Sequence, residues 1–138
     1  MIYERKINYY ETDAMQIVHH SNYIRFMEEA RINALTNIGL PYSKIEEEGV
    51  LIPVLAVNCQ YKHPARYEET ILIDVKTKEY SGVKLVMEYV ITSKETGEIL
   101  LTGETKHCFT DKELKPLSLK KARPFMHDKF IELLNLSK

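Results

Sequence analysis

Apolar residues recur at Tyr23, Met27, Ala30, Ala34 and Ile38, at spacings of four, three, four and four. That is one face of an α-helix. Ser21 or Asn22 can cap its start. Gly39 fits the left-handed position beyond its last turn, and Pro41 prevents continuation. A helix is therefore expected from about Ser21 to Ile38, and its further apolar residues Phe26 and Leu35 suit a largely buried one. The rest of the chain has the period of strands. Ile2–Tyr10 mixes β-branched and aromatic residues with charge. Leu51–Tyr61 is rich in Val, Leu and Ile. Ile71, Ile73 and Val75 alternate with Leu72 and Asp74. Val83, Leu85, Met87, Tyr89 and Ile91 alternate with Lys84, Val86, Glu88 and Val90, and Ile99–Thr110 forms a further run.

Turn signals separate these runs: His63-Pro64-Ala65-Arg66, Ser81-Gly82 and Glu95-Thr96-Gly97. Consecutive strands joined by short turns predict an antiparallel meander. Pro124 suits the first turn of a terminal helix, whose stripe is Met126, Phe130, Leu133 and Leu134. The order predicts an α+β domain spanning 1–138, with the long helix laid across one face of the sheet.

Composition narrows the function. At 138 residues, with a formal net charge of −1, the chain has no strong field to gather nucleic acid or an anionic membrane. No apolar stretch approaches the roughly 20 residues of a membrane span. No signal-peptide pattern follows Met1, and Cys59 and Cys108 read as reduced thiols, so the cytoplasm is the expected location. None of the five glycines falls in a phosphate-loop spacing.

The candidate chemistry lies in Tyr9–Tyr23. Asp13 stands in a loop directly before the long helix, and His19 and His20 stand where that helix begins. A helix start carries free N–H groups and a partial positive charge, which suits an oxyanion. A nearby carboxylate can attack a carbonyl held there or activate water. An Asp at such a place is also an ordinary cap or turn residue. Adjacent histidines are poor joint metal ligands, and no third ligand follows at a zinc spacing, so no metal and no cofactor is expected. Glu28 and Glu29 read as a solvated helix edge.

The stretch Tyr10-Glu-Thr-Asp13-Ala-Met-Gln-Ile-Val18-His-His20-Ser-Asn-Tyr23 resembles the start of the 4-hydroxybenzoyl-CoA thioesterase family of hotdog-fold proteins, with its D-x-x-G-x-V pattern. Tyr61-Lys-His-Pro64-Ala65-Arg66 resembles that family's Y-x-x-P-A-R segment. The resemblance implies a curled antiparallel sheet of about five strands around the central helix, assembled as a homodimer or homotetramer with active sites between copies. It implies hydrolysis of acyl-CoA, or acyl-carrier-protein, thioesters. Asp13 matches the catalytic carboxylate. His20 matches the position whose backbone N–H receives the thioester oxygen, and since some members carry His there the resemblance also leaves a side-chain role open. Val18, His19, Asn22 and Tyr23 match residues shaping the pocket, and Lys62, Arg66 and Lys84 are candidates for gripping CoA phosphates.

Two departures stand out. Ala14-Met15-Gln16 lacks the usual loop glycine, and no arginine cluster occupies Ser81–Lys84. Two other readings remain at this stage. One is a non-catalytic acyl-thioester-binding protein on the same fold. The other is an enoyl-CoA hydratase, against which the seven-residue separation of Asp13 and His20 counts.

Overall fold

A computed structural model describes the chain from Met1 to Lys138. Five strands, β1 (Ile2–Lys6), β2 (Val54–Tyr61), β3 (Thr70–Tyr80), β4 (Lys84–Ser93) and β5 (Ile99–Cys108), form one antiparallel sheet in the order β1-β3-β4-β5-β2. The helices are α1 (Ser21–Asn37), α2 (Tyr42–Glu47), α3 (Leu119–Ala122) and α4 (Pro124–Leu136). The expected face of α1 is buried from Tyr23 to Ile38. Gly39 takes φ 84° and supplies the left-handed residue after the helix.

Alternation decides what the sheet buries. Ile71, Ile73 and Val75 of β3, Leu85, Met87, Tyr89 and Ile91 of β4, and Leu101 of β5 face inward. They join the buried residues of α1 and α4 in one core of 27 residues. α1 lies against β3 and β1, and α4 against β3. α1 passes so close to β5 that a Cβ on Gly103 would stand 2.9 Å from Met27 Sδ.

Several expectations are corrected. The first strand stops at Lys6, and Tyr9–Glu11 is a turn of 3₁₀-helix. Leu51 makes only an isolated bridge, to Thr110, so β2 starts at Val54. The short helix α2 falls in a stretch too brief to show a period. The meander holds for β3-β4-β5, but β2 pairs with β5 rather than with the strand that follows it. The cause is local. In the connection 62–69, the N–H groups of Lys62 and His63 donate to Leu100 O, and the Ala65 carbonyl accepts from Val18 N–H. These bonds carry the chain away from a hairpin.

The result leaves β2 on an outer edge. Leu55, at the shift of register, and Val57 and Tyr61 are exposed, Leu55 at 61%, although Cys59, on the face of Val57 and Tyr61, packs against the core.

Candidate active site

The segment before α1 is a tight hairpin. His19 N–H donates to Glu11 O (2.9 Å), Thr12 bridges Val18, and Asp13 N–H donates to Ile17 O (2.9 Å). Gln16 turns the chain at φ 63°, which is the left-handed region, and its N–H donates to Asp13 O. Asp13 is half-buried at the start of that turn, where its Oδ1 accepts the N–H of Met15 (2.8 Å). The hairpin is braced against the 62–69 connection through Ile17–Arg66 and Val18–Ala65.

α1 begins without the expected cap. The N-cap position is His20, and no side chain caps the helix. Ser21 Oγ instead bonds His19 Nδ1 (2.8 Å), and Asn22 Nδ2 donates back to Glu11 O (2.8 Å). The N–H groups of Asn22 and Tyr23 reach the carbonyls of His19 and His20, and that of Ser21 reaches His19 Nδ1. The His20 N–H meets no acceptor in the chain.

A cleft of about 310 Å³ opens beside this helix start. Ile17, Val18, Tyr23, Tyr61 and Pro64 form its apolar wall, and His20, Lys62 and His63 its polar side. The Tyr23 hydroxyl accepts the buried N–H of Ala65 (3.1 Å), so it braces the connection rather than facing open space. Tyr61 packs edge-on against both Tyr23 and His20. Burial raises the phenols of Tyr23 and Tyr61 above their ordinary value, so both stay neutral at physiological pH. His63 Nδ1 lies 3.8 Å from Glu98, while Lys62 forms no ion pair. The cleft thus combines an apolar wall and a cation, and it is lined by His20, the residue whose main-chain donor is free. Those are the elements that hold a polarised carbonyl with an apolar body.

Of the residues expected from sequence, Val18, His20, Tyr23 and Lys62 share this cleft. Asp13 does not line it in the single chain. It stands on the opposite leg of the hairpin from Ile17, which does. His19 stacks on His20 with centroids 4.4 Å apart, outside the lining. Asn22 is engaged with Glu11, and the exposed Arg66 lies behind Ile17. Lys84 is elsewhere. It opens β4 opposite Cys108, whereas Tyr61 faces Leu101 seven residues away along β5, about 24 Å at the usual strand rise. Ile17, Tyr61, His63 and Pro64 line the cleft as well, beyond the residues expected from sequence. The Tyr61-x-x-Pro64 spacing was the signal that could have found three of them.

A five-stranded antiparallel sheet carrying one long helix, with a cleft at that helix's N-terminus, is an α+β hotdog fold. The chain belongs to the thioesterase-like superfamily, whose pattern matches residues 7–130. A putative acyl-CoA thioesterase, YneP of Bacillus subtilis, is 38% identical over 125 residues, covering 90% of each chain. The DHNA-CoA thioesterase of Staphylococcus aureus superposes with a TM-score of 0.91 at 29% identity, over 98% of this chain and 91% of that one. A hypothetical protein from Aquifex aeolicus superposes at 0.84 with 33% identity, over 97% and 98%. The chain is an enzyme of the thioester hydrolase class.

Proposed function

We propose that the protein hydrolyses acyl-CoA thioesters to the free acid and CoA, in the cytoplasm and as a dimer. The observation that carries this reading is the cleft at the start of α1, lined by His20, whose main-chain N–H is unpartnered, with the Asp13 turn bonded to its wall through Ile17. The CoA class of substrate rests on the names borne by the relatives. The apolar wall formed by Ile17, Val18, Tyr61 and Pro64 suits an apolar acyl body, and Lys62, on the polar side of the cleft, is the cation within it for a CoA phosphate.

In this reading the His20 N–H receives the thioester oxygen as negative charge builds on it, helped by the positive end of α1. Asp13 either attacks the carbonyl carbon, giving a mixed anhydride that water then opens, or draws a proton from an attacking water. Either way a C–O bond forms, the C–S bond breaks, and the CoA thiolate leaves and takes up a proton. A thiolate leaves readily, so the reading needs no acid beside it. The uncovered edge and face of β2 support a second copy docking there, beside Tyr61 and the open side of the cleft.

Asp13→Asn should lower kcat by at least about a hundredfold, the scale of a lost general base, while the fold is kept. Thiol release from short, long and aromatic acyl-CoAs reads this directly. Turnover unchanged by the substitution would defeat the role of Asp13. No release from any of these thioesters by the unaltered protein would defeat the activity.

A further inference from the structure

Glu11 is the one carboxylate the fold buries deeply, at 5% exposure, and the chemistry proposed above makes no use of it. Both its carboxyl oxygens are gripped by the two terminal nitrogens of Arg5, and Oε1 also accepts the N–H of Asn8 (2.8 Å). Arg5 is itself fixed. Its Nε donates to Glu29 of α1 (2.7 Å), and its guanidinium lies over the Phe26 ring, 4.4 Å from the centroid. The main chain of the same residue does a second job. Glu11 O accepts both the His19 N–H and the Asn22 side chain, so it ties the two legs of the hairpin and the first turn of α1 to one point. Asp13 lies two residues along one leg and His20 one residue beyond the other.

We infer that the Arg5–Glu11 pair is the positioning device of the catalytic centre: it sets the distance between the Asp13 carboxylate and the His20 N–H by pinning the base of the hairpin that carries both. The inference rests on the reading of Asp13 and His20 given above. A buried charge pair is weak evidence of net stability, and a hydrophobic substitute of similar size often does as well. What an apolar pair would lack is a bidentate, planar anchor that fixes direction as well as contact. A displacement of about 1 Å between reacting groups can cost about a hundredfold in rate.

The test separates geometry from stability. Glu11→Gln keeps the size and the backbone carbonyl but ends the paired grip. Glu29→Gln removes the other negative charge beside the same guanidinium but keeps an amide oxygen to accept the Arg5 Nε–H, so it leaves both the direction of Arg5 and the hairpin bonds alone. Arg5→Lys keeps the charge and gives up the fork, and serves if Glu11→Gln fails to fold. The expected result is a fall in kcat of about tenfold or more for Glu11→Gln and for Arg5→Lys, with KM within about twofold. Glu29→Gln should lower the melting temperature and keep kcat. In an Asp13→Asn background, Glu11→Gln should change the residual rate by less than about twofold, because groups that act through one another do not add.

Equal losses of kcat in Glu11→Gln and Glu29→Gln, or the same fold-loss with and without Asp13, would overturn the inference. Full kcat in a folded Glu11→Gln or Arg5→Lys would overturn it too. If Asp13→Asn alone keeps the full rate, it is the catalytic reading that fails. If Asp13→Asn is inactive while Glu11→Gln keeps full kcat, only the positioning role falls.

Discussion

Gln16 occupies the left-handed turn of the hairpin at φ 63°, where the resembling pattern carries glycine. A side chain in that conformation costs about 1–2 kcal/mol. Its two backbone bonds, from Gln16 N–H to Asp13 O and from Tyr67 N–H to Gln16 O, do not involve the side chain. Gln16→Gly should therefore stabilise the protein. Part of the gain is offset by the greater freedom of glycine in the unfolded chain, leaving about 0.5–1 kcal/mol. A thermal melt reads it, and a lower melting temperature would show that the glutamine side chain contributes something the turn needs. At this scale the sequence was readable for apolar residues and misleading for charged ones. Tyr23, Met27 and Ala30 are buried where periodicity put them. Glu29, read as a solvated edge, instead accepts bonds from Arg5 and from Tyr3 (3.0 Å). Glu11 showed no pattern at all and is nearly closed to solvent. A one-dimensional pattern records polarity, and the partner that makes burial of a charge tolerable is six or more residues away.

Among the elements, α1 is joined to the sheet by more than apolar contact. Arg31, 5% exposed, donates to the Tyr89 hydroxyl of β4 (3.0 Å), which bonds Thr105 of β5 (2.6 Å), which bonds His107 Nε2 (2.8 Å). Burial, and then the Arg31 charge, push the His107 imidazole down to about 4, against an opposing pull from the backbone of Pro53 and Ile52. His107 is thus neutral in the folded protein and free to protonate in the unfolded chain near 6.5. The stability this gives is complete above about pH 6.5 and is lost as the pH falls toward 4. Urea midpoints should fall between pH 7 and pH 5, and the fall should be shallower in His107→Gln. A slope identical in the two proteins would remove His107 from the account. None of this chain of bonds was legible beforehand, because Thr105 and His107 read only as a strand continuing its alternation. The elements themselves were. Gly39, Pro41, Gly82 and Gly97 marked the ends of α1, β3 and β4 where backbone geometry needs them. What strand periodicity does not contain is partnership, so the pairing of β2 with β5 became clear only with the bonds of the 62–69 connection.

For the whole molecule, the two edges of the sheet contrast. β1 is five residues long and carries Glu4, Arg5 and Lys6, with Glu4 paired to Lys94. Short charged edges discourage further strands from adding. β2 is eight residues long and carries no charge and no proline. Its pairing with a second copy is the assembly proposed above. Leu55→Glu should therefore give a monomer by sedimentation and lower the thiol-release rate with it, since Tyr61 at the end of this strand lines the cleft. A variant that stays dimeric at full rate would place the contact elsewhere. The same strand bears on the life of the chain before assembly. A neutral, proline-free edge of this length, opening on four aliphatic residues, also fits the segments that nucleate cross-β fibrils. Until something covers it, such an edge is a template open to any extended stranger, so whatever shields β2 guards the chain against precipitation as well.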